Sequence, residues 1–308
     1  MENTAVSDLI PEVRIRRQSV YYYIAMILWP AYLFLLPAVF MRVGWWVIFY
    51  LIFPGLYLFT WVGYLMHESW HKYVPNVDSH FFYNIFALMI LSDPQLYHMS
   101  HGSHHAQVNT YDDAEFHPLG EVRSRGMRII YHWLEVVFGV AFLFAAASLT
   151  VPRDPRFAKR YRFWKLPLSV LSWVIFFVGL GYLSHLVFGA ALRQVFLLYF
   201  LSFWLGSFFL HQSQLIEHGN LIVEGTFQQR NVRTRNLKPA GMAEKVFLFL
   251  THGDSREHVL HHTLTAVYTR PFPGTVPLPE GTVSITMGDY CQLLWRMLVG
   301  KVDKEQFR

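Results

Sequence analysis

Residues 43–71 read VGWWVIFYLIFPGLYLFTWVGYLMHESWH. From Val43 to Met66 the stretch carries no charge, and it then ends in two histidines, His67 and His71, four residues apart. About 20 apolar helical residues suffice to cross a hydrocarbon core. The stretch therefore predicts a membrane span that delivers two imidazoles to a bilayer edge. Taken alone, His67-Glu68-Ser69-Trp70-His71 also fits the H-E-x-x-H pattern, in which two histidines hold zinc and the glutamate activates a water. The choice between these readings depends on the other histidines.

Working outward, the whole chain has the composition of a protein dissolved in lipid. Of its 308 residues 53% are hydrophobic and only 15% are charged, where a soluble domain carries about a quarter. The same length criterion predicts further spans at Val20–Phe40, Leu166–Leu192 and Gln194–Ile216, while Val136–Pro152 is marginal and Phe81–Leu91 is too short. The N-terminal residues lack a signal-peptide pattern, so the first span is expected to be retained. Arg14, Arg16 and Arg17 place the N-terminus inside, and Arg153, Arg156, Lys159, Arg160, Arg162 and Lys165 place a second loop there too. Val136–Pro152 is then a re-entrant or interfacial helix rather than a crossing one. The expectation is an all-α integral membrane protein: one domain over residues 1–308, with four transmembrane helices in two hairpins. A cytoplasmic, histidine-rich cap is expected from residues 67–165 and 211–308.

The single cysteine, Cys291, excludes a disulfide framework, a zinc ribbon and a cysteine-ligated iron-sulfur cluster. It is read as a packed small hydrophobe. The sixteen histidines are the anomaly. His67 and His71 are one helical turn apart; His101, His104 and His105 form HGSHH; His258, His261 and His262 form HVLHH. Residues three and four apart share a helix face, so each cluster presents its imidazoles together. One zinc needs three or four ligands, and eight clustered histidines are too many for it. Gathered without metal, they would leave donors unpaired and lose their charge to desolvation. Two first-row metals in a shared imidazole cage is the economical reading.

These three boxes, in this order and with a hairpin before the first and another between the second and third, resemble the membrane fatty acid desaturase and hydroxylase superfamily. The resemblance runs from about Tyr50 to Gly274. It implies a non-haem di-iron centre, with molecular oxygen as co-substrate, and it leaves the protease reading with six idle histidines. It also implies a ligand between the last span and the third box. His218 in IEHG is preferred to His211, which is read as an interfacial residue at a helix end. The implied metal ligands and catalytic residues are thus His67, His71, His101, His104, His105, His218, His258, His261 and His262. By the same analogy His67, His101, His105 and His261 hold one metal, and His71, His104, His218, His258 and His262 the other.

A metal-bound imidazole usually donates its remaining N–H to a carboxylate or carbonyl. Glu68, Asp112, Asp113, Glu217, Asp254 and Glu257 suit that task, and Asn109 joins Asp113 as an orienting residue by resemblance. Glu115 and Asp93 are read as solvated loop charge. His98 and His117 are left outside the ligand set, and His80 and His132 are expected to be dispensable for metal and activity. Arg230, Arg233, Arg235 and Lys238 suit either an anionic substrate head or lipid headgroups.

The resemblance implies an oxidoreductase that acts on an acyl-lipid chain, with desaturation in first place. Fatty acid or alkane hydroxylation and oxidative decarboxylation of a free fatty acid to a terminal alkene use the same oxidant. A zinc-dependent membrane hydrolase is the competing class. The expected partners are the fatty acyl substrate, membrane lipid and a separate electron donor such as a ferredoxin, rubredoxin or cytochrome. A chain so largely immersed in bilayer is not expected to bind nucleic acid.

Overall fold

From Ser19 to His71 the apolar sequence is helical, a stretch of 53 residues, and Gly44 decides its shape. Helix α1 (Glu12–Val43) stops there because Gly44 takes φ +58°, a left-handed conformation that costs glycine little. The chain resumes through a 3-10 turn (Gly44–Trp46), the short helix α2 (Val47–Tyr50) and a wide π-helical turn (Leu51–Gly55), and then enters α3 (Leu56–His71). Pro54 lies in that wide turn, where its missing N–H and its ring would disrupt a regular helix. The two arms run antiparallel: Tyr32 meets Tyr50 at 5.1 Å, Trp29 meets Phe59 at 5.7 Å and Tyr21 meets Trp61 at 5.9 Å between ring centroids.

In this computed structural model residues 12–72, 78–264 and 276–306 are described. They include three stretches long and apolar enough to cross a membrane: Ser19–His71, Lys165–Phe188 and Leu192–His218. The first contains two of the four expected apolar segments. Contacts divide the chain into two compact units, one of residues up to Pro94 with Arg162–Gly206, the other of Gln95–Tyr161 with the residues from Ser207 onward.

In the first unit, α4 (Ser79–Met89) opens on Asp78, whose carboxylate accepts the Phe81 backbone N–H at 3.0 Å. Trp29, fully buried, donates its indole N–H to the Met89 carbonyl at 2.9 Å. Helix α8 (Lys165–Phe188) instead exposes Leu168, Leu171, Ile175, Val178, Leu186 and Val187, an outer surface suited to lipid rather than water. Asp93 is not loop charge in solvent: it is buried and accepts the Ser169 hydroxyl at 2.6 Å. Helix α9 (Leu192–His218) begins in this unit and ends in the other.

The second unit holds α5 (Pro94–Gln107, from Gln95), α6 (Arg125–Phe138) and α7 (Val140–Thr150). Gly139, at φ +58°, separates the last two, and a Cβ there would collide with the Ser207 carbonyl. The marginal segment Val136–Pro152 is therefore split, and its apolar part is too short to cross. After α9 come β1 (Leu221–Glu224), α10 (Phe227–Val232), β2 (Arg235–Leu237), α11 (Met242–Leu250), α12 (His258–Thr263), β3 (Val283–Ile285), α13 (Met287–Leu298) and β4 (Asp303–Gln306). The structure is mostly helical, as expected, with two short parallel ladders added to the helices: β1 pairs with β4 and β2 with β3. Leu215, Ile216, Leu237, Phe247, Leu293 and Met297 form the core that ties these elements together. Cys291 on α13 is exposed rather than packed.

Candidate metal centre

Helix α5 carries the second box on a rigid support. Leu96 and Met99 anchor one face of it in an apolar cluster with Ala147, Val151 and Tyr161. On another face Tyr97 lies nearly parallel to the His101 ring, 5.0 Å between centroids. His101 Nδ1 stands 2.7 Å from Glu115 Oε2, and His104 Nδ1 stands 2.7 Å from Asp113 Oδ2. Asp113 is itself fixed, because its Oδ1 accepts the backbone N–H groups of Glu115 at 2.9 Å and Phe116 at 3.2 Å. Burial opposes its ionisation, but His104 and these donors hold its pKa below the usual carboxylate range. Burial pushes Glu115 up to about 7. Glu115, buried and against a ligand-type imidazole, is thus no solvated loop charge.

The end of α9 supplies Glu217 and His218. His218 Nδ1 lies 3.2 Å from Asn109 Oδ1, while the Asn109 amide donates to the Arg230 carbonyl at 2.9 Å and to Thr234 Oγ1 at 3.3 Å. Those two acceptors fix which end of the amide faces the histidine, so His218 carries its proton on Nδ1. Asn109 holds this pose at φ +58°, which asparagine tolerates better than most residues. Arg235, read from sequence as a possible anion or headgroup contact, is buried and donates to the carbonyls of Leu215, Ile216 and Gly219, closing the C-terminus of α9.

Helix α12 carries the third box, and the Asn236 side chain fixes its start by accepting the Val259 N–H at 3.0 Å. The imidazoles of this unit then converge through Nε2. His105 lies 3.1 Å from His101 and 3.1 Å from His261. His262 lies 3.3 Å from His104 and 3.2 Å from His218, and His218 lies 3.1 Å from His258. His101, His105 and His261 therefore form one constellation; His104, His218 and His262 form another, which His258 and Glu217 adjoin through His218. His101 and His262 are held well toward the neutral form, chiefly by burial and then by neighbouring imidazoles. Neutral imidazole is the form that binds metals. His67 and His71 belong to the first unit, on the last turn of α3 with ring centroids 4.9 Å apart, and Glu68 between them accepts the Tyr22 hydroxyl at 3.3 Å.

The geometry has a chemical consequence. Where Nδ1 is turned to an outer oxygen, as in His101, His104 and His218, Nε2 presents a lone pair to the interior. Lone pairs 3.1–3.3 Å apart repel unless a cation lies between them. Ligand atoms bound at about 2.0–2.2 Å to one ion sit about 3.0–3.5 Å from one another, and these spacings fall in that range. The donor set fits a metal.

Some functional partners were not legible in the sequence. Phe116 packs between His104 and His218, 4.8 Å from each ring centroid. Ser255 donates its hydroxyl to Glu217 at 2.7 Å. Of the expected carboxylates, Asp254 lies 4.0 Å from His258 Nδ1, while Glu257 is 3.9 Å from Arg256. Asp112 is exposed and contributes its backbone carbonyl, which accepts from Ser103 and Arg156. His211 is fully buried, with Nδ1 2.9 Å from Gln214 Oε1 and Nε2 3.4 Å from Glu135.

Asn109→Ala removes the acceptor that sets the His218 tautomer. It is expected to lower metal affinity about 10- to 100-fold, with Asn109→Asp, which keeps the acceptor oxygen, losing less; metal titration of the purified protein followed by elemental analysis checks this.

The described residues thus combine apolar helices of membrane-crossing length with buried groups of imidazoles that could hold a metal ion. The family model described as Fatty acid desaturase matches residues 43–270, most of the chain. The chain belongs to that family, which makes it a metal-dependent oxidoreductase of lipid chains. Searches of curated proteins and of solved structures returned no match.

Proposed function

We propose that this protein is an oxygen-dependent di-iron enzyme that introduces a double bond into the acyl chain of a lipid. The observation that carries the reading is the pair of Nε2 constellations, His101/His105/His261 and His104/His218/His258/His262. Two such sets call for two ions, and His67 and His71, at the end of an apolar helix, complete the nine ligands. Neutral imidazole suits iron as well as zinc, and the family is one of lipid oxidation.

When bound, the two irons supply the activation of dioxygen needed to remove hydrogen from an unactivated C–H bond. The chain's own residues do the rest. Asp113, Glu115 and Asn109 hold His104, His101 and His218 with Nε2 turned inward. The negative charge of Asp113 also offsets that of the ions in a site from which water is largely excluded. Phe116 closes the space between the His104 and His218 rings against water.

In this reading the stretch Ser19–His71 crosses twice and Lys165–Phe188 and Leu192–His218 once each, with the imidazoles on the cytoplasmic face. Trp45 and Trp46, 77% and 71% exposed at the Gly44 reversal, and Trp164 at the start of α8 suit the two headgroup regions. The acyl chain enters from the bilayer, and reducing equivalents come from a separate protein carrier.

The test is aerobic incubation of the purified, iron-loaded and reduced protein in lipid discs with a panel of acyl substrates, followed by mass spectrometry. Loss of two hydrogens from the chain is expected. Gain of an oxygen, or loss of the carboxyl carbon, assigns the same centre to hydroxylation or decarboxylation. A single zinc, with turnover indifferent to iron chelation, would reject the oxidase.

A further inference from the structure

Glu217 stands among the box imidazoles in a manner unlike Asp113 and Glu115. Asp113 and Glu115 face the Nδ1 atoms of His104 and His101, on the outer side of the cage. Glu217 faces Nε2: its Oε2 lies 3.4 Å from His258 Nε2, and Glu217, His218 and His258 all place ligand atoms within 4.8 Å of one another. All three are buried, Glu217 to within 1% of completely. Its other oxygen, Oε1, is taken by the Ser255 hydroxyl at 2.7 Å, which fixes the carboxylate and presents Oε2. With the His258 proton on Nδ1, which lies 4.0 Å from Asp254 Oδ1, its Nε2 is the inward lone-pair atom.

An anionic oxygen and an imidazole lone pair at 3.4 Å, with His218 Nε2 3.1 Å from the same imidazole nitrogen, repel one another. A shared cation removes the repulsion. The separation again matches the edge between two ligands bound at about 2.0–2.2 Å to one ion.

Resting on the two-metal reading above, we infer that Glu217 is itself a ligand, binding through Oε2 the same ion as His218 and His258. Among the described residues the ligand group of His101, His105 and His261 contains no carboxylate. The two metal positions are then unequal: one is ligated by imidazoles alone, the other by imidazoles and one carboxylate. Because the attraction of a negative oxygen grows with the charge on the ion, Glu217 would lower the reduction potential of an ion held there relative to one held by imidazoles alone. Ser255 is a positioning residue that keeps Glu217 in its pose.

The test loads the full-length protein with cobalt(II), whose visible bands strengthen as coordination number falls. Glu217→Gln keeps the side-chain volume and an acceptor for Ser255 but loses the anionic oxygen. It is expected to bind cobalt at one position at least tenfold more weakly and, when saturated, to show stronger bands than the wild type. Unchanged bands at full cobalt occupancy overturn the assignment. If the variant does not fold, the metal-loaded wild-type structure decides: Glu217 Oε2 at about 2.0–2.2 Å from an ion supports the inference, and a separation beyond about 3.5 Å overturns it. Wild-type protein that takes up no metal defeats the two-metal reading itself, whereas metal uptake with Glu217 detached defeats only this ligand.

Discussion

His104→Ala is expected to abolish lipid oxidation and to lower bound iron below the wild-type content. The imidazole does two things at once. Its Nε2 stands 3.3 Å from that of His262, and its Nδ1 pairs with Asp113 at 2.7 Å. Burial opposes charge on His104, but Asp113 overcomes this and raises its pKa, and Asp113 is stabilised as the anion in return. Truncation therefore takes one ligand from its constellation and leaves a carboxylate, 1% exposed, without its main partner. Breaking a buried pair from one side costs about 3–5 kcal/mol, so the variant should also melt earlier in its metal-free form. Turnover should fall by well over the ~100-fold expected for an orienting residue. His80→Ala is the proper control, because His80 is exposed and, among the described residues, its hydrogen-bond partner is Asn84. A His104→Ala protein that keeps wild-type iron and turnover would remove His104 from the centre.

How much of this was legible beforehand follows from the range of each interaction. The boxes could be read because a helix places residues three and four apart on one face, and α5 and α12 do so for His101, His104, His105 and His258, His261, His262. The apolar stretches could be read because crossing length is a property of local sequence. Glu115 could not be read correctly, since its pairing with His101 depends on how residues 108–116 turn back over α5. Asp113 directs that turn through two backbone N–H groups. Arg235 was ambiguous for the same reason: its partners are the carbonyls at the end of α9, some twenty residues earlier. The two ladders β1–β4 and β2–β3 are short and join segments far apart in the chain, so no hairpin signal announces them. Gly139 splits an otherwise continuous apolar segment because the Ser207 backbone occupies the place of a side chain, which a window of hydropathy cannot register.

Glu135→Gln is expected to destabilise the protein by about 3 kcal/mol near neutral pH and to remove a distinct step from its acid unfolding. Glu135 lies on α6, 3% exposed, with one oxygen 2.8 Å from His132 Nδ1 and the other 3.4 Å from His211 Nε2 on α9. Burial alone would raise its pKa, but the His132 hydrogen bond and the adjacent His211 imidazole outweigh that and lower it from 4.5 to about 2. The sign follows directly. A folded pKa below the unfolded one means stability that is fully present above pH ~4.5 and is lost as pH falls toward ~2. His132, outside the boxes and expected to be dispensable, is buried in this pair, so His132→Ala is expected to share part of the loss without changing which residues hold metal. The cost has a structural location, because Glu135 links α6 to the part of α9 that leads to Glu217 and His218. Thermal unfolding of the detergent-solubilised protein between pH 7 and pH 3 checks the claim. The wild-type melting temperature should fall steeply below pH 4.5 and that of Glu135→Gln should be lower throughout but flatter; parallel curves would show that this carboxylate does not hold the two helices together by its charge.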